Sequence, residues 1–97
     1  MTKIKNVVKN IKEELHDAEK YAKLAMEKTE MSATYADLSR QELRHVDILH
    51  DGAVRMIQEF KSTGKEVPAT MQAIWDWEHE QMTDHKKEIL LMLDMAK

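Results

Sequence analysis

Apolar residues recur three or four positions apart along nearly the whole chain. Ile4, Val8, Ile11, Leu15, Ala18, Ala22 and Ala25 trace one such stripe, which predicts an amphipathic helix from about residue 3 to about 28. A second stripe runs through Met31, Tyr35, Leu38, Leu49, Met56 and Phe60 and predicts a helix over about 32–61. Thr29 or Ser32 supplies a hydroxyl to cap its start. The segment Lys61-Ser-Thr-Gly-Lys-Glu-Val-Pro68 then interrupts the pattern. Gly64 suits a helix C-terminus there, and Pro68 the first turn of the next helix. A third stripe through Met71, Ile74, Met82, Ile89 and Met92 predicts a helix over about 68–96. The expected fold is all-α: one domain over residues 1–97, an antiparallel three-helix chain joined by short loops.

Several polar residues fall inside these stripes. On the second helix the stripe centres near Leu38, Leu49 and Met56. At 100° per residue Glu42 lies roughly 15° from that centre and His45 about 45°, so the wheel expects both inside. On the first helix Glu14 lies on the shoulder of the apolar face, one turn from Ile11 and Ala18, and Glu19 occupies the opposite shoulder. Glu78 and His85, two turns apart, fall almost on the centre line of the third stripe.

No lysine or arginine falls near the centre of a stripe, and Arg40, Arg44 and Arg55 point away from the face of Glu42. A carboxylate buried without a partner costs several kcal/mol. It therefore needs a proton, an imidazole or a bound cation. Carboxylates and imidazoles converging with no basic partner point to a metal site suited to iron, manganese or zinc. Level along the helices agrees with face. If the first turn centres near residue 30, a rise of about 1.5 Å per residue sets Glu14 beside roughly residues 45–46, with Glu42 one turn away. Folding back about the second loop brings His85 near the level of Glu42 and His45, and Glu78 closer to Leu49 and Gly52.

Composition narrows the picture. A chain of 97 residues buries only roughly 60–65% of its unfolded surface, so a partner subunit or a metal would add stability. A formal charge of −3 gives no basic footprint, and no nucleic-acid partner is expected. The absence of cysteine excludes disulfides and thiolate metal ligands. No apolar run has the length of a membrane span, and MTKIKNVVKNIKEEL lacks the apolar core of a signal peptide. The expected location is cytoplasmic, away from membranes.

The sequence resembles the ferritin-like superfamily, within it the helical hairpins of rubrerythrins and encapsulated ferritins. The residues that carry the likeness are Glu14 in KEELHDAEKYAKLA and the Glu-x-x-His motif Glu42-Leu-Arg-His45, over roughly residues 10–60. Tyr21 stands where many such hairpins place an aromatic residue. The resemblance implies half of a di-iron carboxylate site on this hairpin, with iron oxidation and storage, or dioxygen or peroxide reduction, as the activity. The expected role assignment is that His45 and the terminal carboxylates hold the metals, Glu42 bridges them, and Tyr21 or Trp77 donates electrons or quenches oxidising intermediates. Complete ferritin-like chains carry two further ligand helices, whereas here the third helix offers Glu78 and His85 and no fourth follows. Two chains pairing their hairpins would supply two Glu14, two Glu42 and two His45. The expected assembly is thus a homodimer or higher homo-oligomer completing a four-helix or larger bundle.

Blander readings stand beside these. Glu42 and His45 form either a metal site or a buried hydrogen-bonded pair. Glu78 and His85 either ligate metal or line a dimer interface. The rival to the metalloprotein is a non-catalytic helical interaction module held in register by a Glu/His network or a structural zinc. His16 is expected in solvent, and His50 and His79 at the surface boundary. Trp75 and Trp77 diverge by more than a right angle on a helix, so at least one must pack against a loop or a neighbour. Gly52, which costs about 1 kcal/mol in mid-helix, calls for a close approach or a bulky neighbour.

Overall fold

The structure, a computed structural model, describes residues 2–97, with side chains from Lys3 onward. It contains three helices, α1 (Thr2–Met26), α2 (Ser32–Ser62) and α3 (Ala69–Met95), and no strand among the described residues. None of these helices is long and apolar enough to cross a membrane.

The two turns are built from the residues expected there, with different bonding. Lys28 takes a left-handed conformation with φ 57°, which ends α1. Ser32 Oγ then accepts from the Thr29 amide at 2.8 Å, and Thr29 Oγ1 accepts from the Met31 amide at 3.2 Å. These hydroxyls therefore lock the turn, and neither caps the first amides of α2. At the other end Gly64 has φ 80°, a conformation that only glycine adopts without cost. Pro68 stands just ahead of α3, and its carbonyl accepts the first helical bond from Gln72 at 3.0 Å.

Cross-helix contacts fix the directions. Ala18 meets Ser39 and Glu14 meets His45, so α1 and α2 run antiparallel. Lys12 meets Glu78 and Glu19 meets His85, so α3 runs parallel to α1. α1 packs along both neighbours, whereas the α2 and α3 backbones barely approach each other. The result is a rod of 54 × 18 × 17 Å.

The buried positions of α1 are Ile4, Val8, Ile11, Leu15, Ala18, Ala22 and Ala25, spaced alternately by four and three. That is the heptad spacing of a left-handed coiled coil. α2 repeats it through Ala36, Ser39, Leu43, Val46, Ala53 and Ile57. The position missing from that series is residue 50, a half-buried histidine. On α3 the series begins Met71, Trp75 and continues through Glu78, Met82 and His85 to Ile89.

The core face of α2 departs from the expected one. Leu38, Leu49 and Met56 are only half-buried and Met31 is exposed. The seam that meets α1 lies about 80° further round the helix, at 100° per residue. The cause is residue size. Near the first turn the helices pack through Ala18, Ala22, Ala25, Ala36 and Ser39, small residues that a stripe of large apolar side chains does not mark. α2 thus has two stripes, one buried against α1 and one half-buried and facing outward.

Candidate metal centre

Glu14, Glu42 and His45 each offer a ligand atom, and these atoms lie within 4.8 Å of one another. His45 Nδ1 is 3.5 Å from Glu14 Oε2 and 3.7 Å from Glu42 Oε2. The antiparallel register places Glu14 level with His45, and the three-residue step from Glu42 to His45 stacks those two on one face of α2.

The burial of this cluster is a correction to the wheel. Glu42 and Glu14 keep 21% and 29% of their side-chain surface exposed, and His45 keeps 53%. They lie on the outward stripe of the α1–α2 hairpin, away from α3. The two carboxylates still face one imidazole, and neither forms an ion pair with a lysine or arginine among the described residues. Arg40 is engaged with Asp37 at 3.3 Å.

The donor set fits a first-row divalent ion. Metal–ligand bonds of about 2.1 Å place neighbouring donors about 3.0–3.4 Å apart around one ion. The two separations from His45, 3.5 and 3.7 Å, are a few tenths of an ångström wider than that, and the two carboxylate oxygens lie within 4.8 Å of each other. Two carboxylate oxygens and one imidazole nitrogen are hard and borderline donors, suited to iron, manganese or zinc.

Seven residues nearer the loop on each helix stand Tyr21 and Tyr35, whose rings stack with centroids 6.2 Å apart and planes at 17°. Tyr21 therefore shares the face of Glu14, two turns, or about 10.5 Å, along the axis. Trp77 does not. It is 56% exposed on the α3 side of α1, with the Lys12 ammonium 5.6 Å from its ring centroid.

Glu78 and His85 lie at the expected levels but not with the cluster. They line a groove of about 440 Å³ between α1 and α3 that contains none of Glu14, Glu42 and His45. Glu78 pairs with Lys12 at 2.8 Å, so a protein cation meets this carboxylate after all. The long lysine stem lets its charge reach a seam from a position off the stripe. His85 Nε2 is 3.4 Å from Glu19 Oε1. Glu19 faces His85 because it stands about 140° round α1 from Glu14, on the shoulder turned to α3.

Two further residues join each other. His50 and His79 are in direct contact, Nε2 to Nδ1 at 3.1 Å, flanked by the buried Trp75. The clue in the sequence was the heptad of α2, which reaches residue 50 at a seam position.

Compared with known protein families, with curated proteins and with solved structures, the chain gives no significant match in any of the three.

Proposed function

We propose that this chain is a ferritin-like metal-binding protein that holds iron through Glu14, Glu42 and His45 and works as a homodimer or a larger assembly built from it. The observation that carries the reading is the convergence of two carboxylates and an imidazole within 4.8 Å, with no lysine or arginine among the described residues paired to the carboxylates. One chain brings three donors, enough for one ion with water but too few for a two-ion carboxylate site. Two hairpins face to face would bring six, enough for Glu14, Glu42 and His45 of both chains to hold two ions. Manganese or zinc satisfies the same donors.

Iron bound there would supply oxidation of ferrous iron, or reduction of dioxygen or peroxide at an open coordination position. The rest is the work of the chain. The carboxylates offset the charge of the ions. The half-buried Tyr35, Leu38, Leu49 and Met56 exclude water once a second hairpin covers them. The stacked Tyr21–Tyr35 pair would pass or absorb an electron.

Ferrous titration with metal analysis tests this. About one iron per chain is expected, lost in Glu42→Ala and in His45→Ala and retained in Glu78→Ala. Less than one iron per two wild-type chains overturns the reading. The exposure of His45 favours a second one, in which a Glu/His network of Glu14, Glu42 and His45 holds the hairpin in register without metal. In that case a chelator leaves the melting temperature of the purified protein unchanged.

A further inference from the structure

We infer that His50 and His79 form a second, independent metal site for a borderline divalent cation of the zinc, copper and nickel class, which staples α3 to α2. The two imidazoles come from different helices and point nitrogen to nitrogen, His50 Nε2 to His79 Nδ1 at 3.1 Å. Bonds of about 2.05 Å to one ion span that separation at an N–metal–N angle of about 98°, between the square and tetrahedral angles these cations adopt.

The surroundings set the tautomer. Asp51 Oδ1 lies 3.4 Å from His50 Nδ1, the nitrogen turned away from His79. A carboxylate there accepts the Nδ1 proton and leaves the Nε2 lone pair free, the outer arrangement that orients metal-bound histidines. In that tautomer of His50, a proton on His79 Nδ1 makes the contact a hydrogen bond. When His79 carries its proton on Nε2 instead, both facing nitrogens carry lone pairs, and a turn of the exposed His79 ring directs them to one ion. Trp75 walls the site on its inner side, with its ring centroid 5.4 Å from that of His50 and 5.9 Å from that of His79. Water completes the coordination from the open side, where His79 is exposed.

The site also occupies the place where the fold has least to hold it. The α2 and α3 backbones barely approach, and Lys86 to Asp47 at 2.7 Å is the ion pair between these helices among the described residues. A cation shared by residues 50 and 79 therefore links elements that otherwise meet mainly through α1. The ligands are imidazoles alone, so the site selects a softer ion than the carboxylate cluster on the hairpin.

Trp75 provides the probe. In a Trp77→Phe background it is the sole indole, because the chain has two tryptophans. Titration with cupric ion should quench its fluorescence by more than half at about one equivalent. Zinc at a hundredfold excess over Kd should raise the melting temperature by roughly 10 °C. His79→Gln, a surface change that leaves the fold intact, should weaken both effects at least tenfold, and His50→Gln likewise. The double variant Glu42→Ala/His45→Ala should leave the quenching unchanged, and the zinc shift is read in that background so that the hairpin donors contribute nothing to it. Quenching that persists in His79→Gln, or disappears with Glu42→Ala/His45→Ala, overturns the inference. Neither result depends on whether the hairpin cluster binds iron.

Discussion

Ser39 is fully buried, and its hydroxyl donates to the Ala18 carbonyl at 2.7 Å. A helix carbonyl already receives one bond from its own helix, so this is a second bond to the same oxygen, made where two backbones run close. Ser39→Ala keeps the volume and removes that bond. It should cost about 1 kcal/mol, read as a fall of several degrees in melting temperature. A variant as stable as the parent would mean that the serine serves only by being small. Ser39 also explains why the centre of the α2 stripe was misplaced. Sequence pattern marks a face by its large apolar residues, whereas a close helix pair is marked by small ones, and alanine or serine carries little signal. Glu42 and His45 were therefore expected in the core, and occupy its margin instead.

At the scale of elements, the periodic pattern carries nearly all the information. The three helices begin and end within two residues of the bounds expected from apolar spacing, Gly64 and Pro68. Antiparallel register alone set Glu14 beside His45. What the pattern could not show was which of two stripes on α2 meets α1, because both repeat at the same spacing. Gly52 belongs to the outward stripe, ten residues beyond Glu42. A Cβ built there meets nothing within 4 Å, so no contact inside the chain accounts for this glycine. Gly52→Ala should then raise the stability of the isolated chain by about 0.5–1 kcal/mol, the ordinary helix-interior difference. Urea unfolding at high dilution would measure it. A loss of stability would show that the position is crowded already. The groups beyond reach of pattern reasoning were the pairs. Lys12 with Glu78, Glu19 with His85, and His50 with His79 depend on the parallel offset of α3 along α1 and on long side chains crossing between helices.

The whole molecule is long for its mass. Its radius of gyration is 15.7 Å, against about 12–13 Å for a compact chain of this length. Such a rod leaves much apolar surface in two regions. One is the outward face of the hairpin, with Tyr35, Leu38, Leu49 and Met56 half-buried around the Glu/His cluster. The other is the far half of α3, where Leu90, Leu91 and Met95 are exposed. If the metal reading is right, only the first can be the dimer seam, because only there does a second copy bring its own Glu14, Glu42 and His45 against the first set. The two surfaces separate in one experiment. Leu49 lies seven residues from Glu42, on the same stripe, so Leu49→Glu places a charge in that seam. It should convert a dimer into a monomer by sedimentation equilibrium, and iron binding should fall with it because three donors remain per particle. Leu91→Glu, on α3, should leave both the assembly and the iron unchanged. The opposite outcome, in which Leu91→Glu dissociates the protein and Leu49→Glu does not, would move the interface to α3. It would also leave each hairpin with half of the donors that a two-ion carboxylate centre needs.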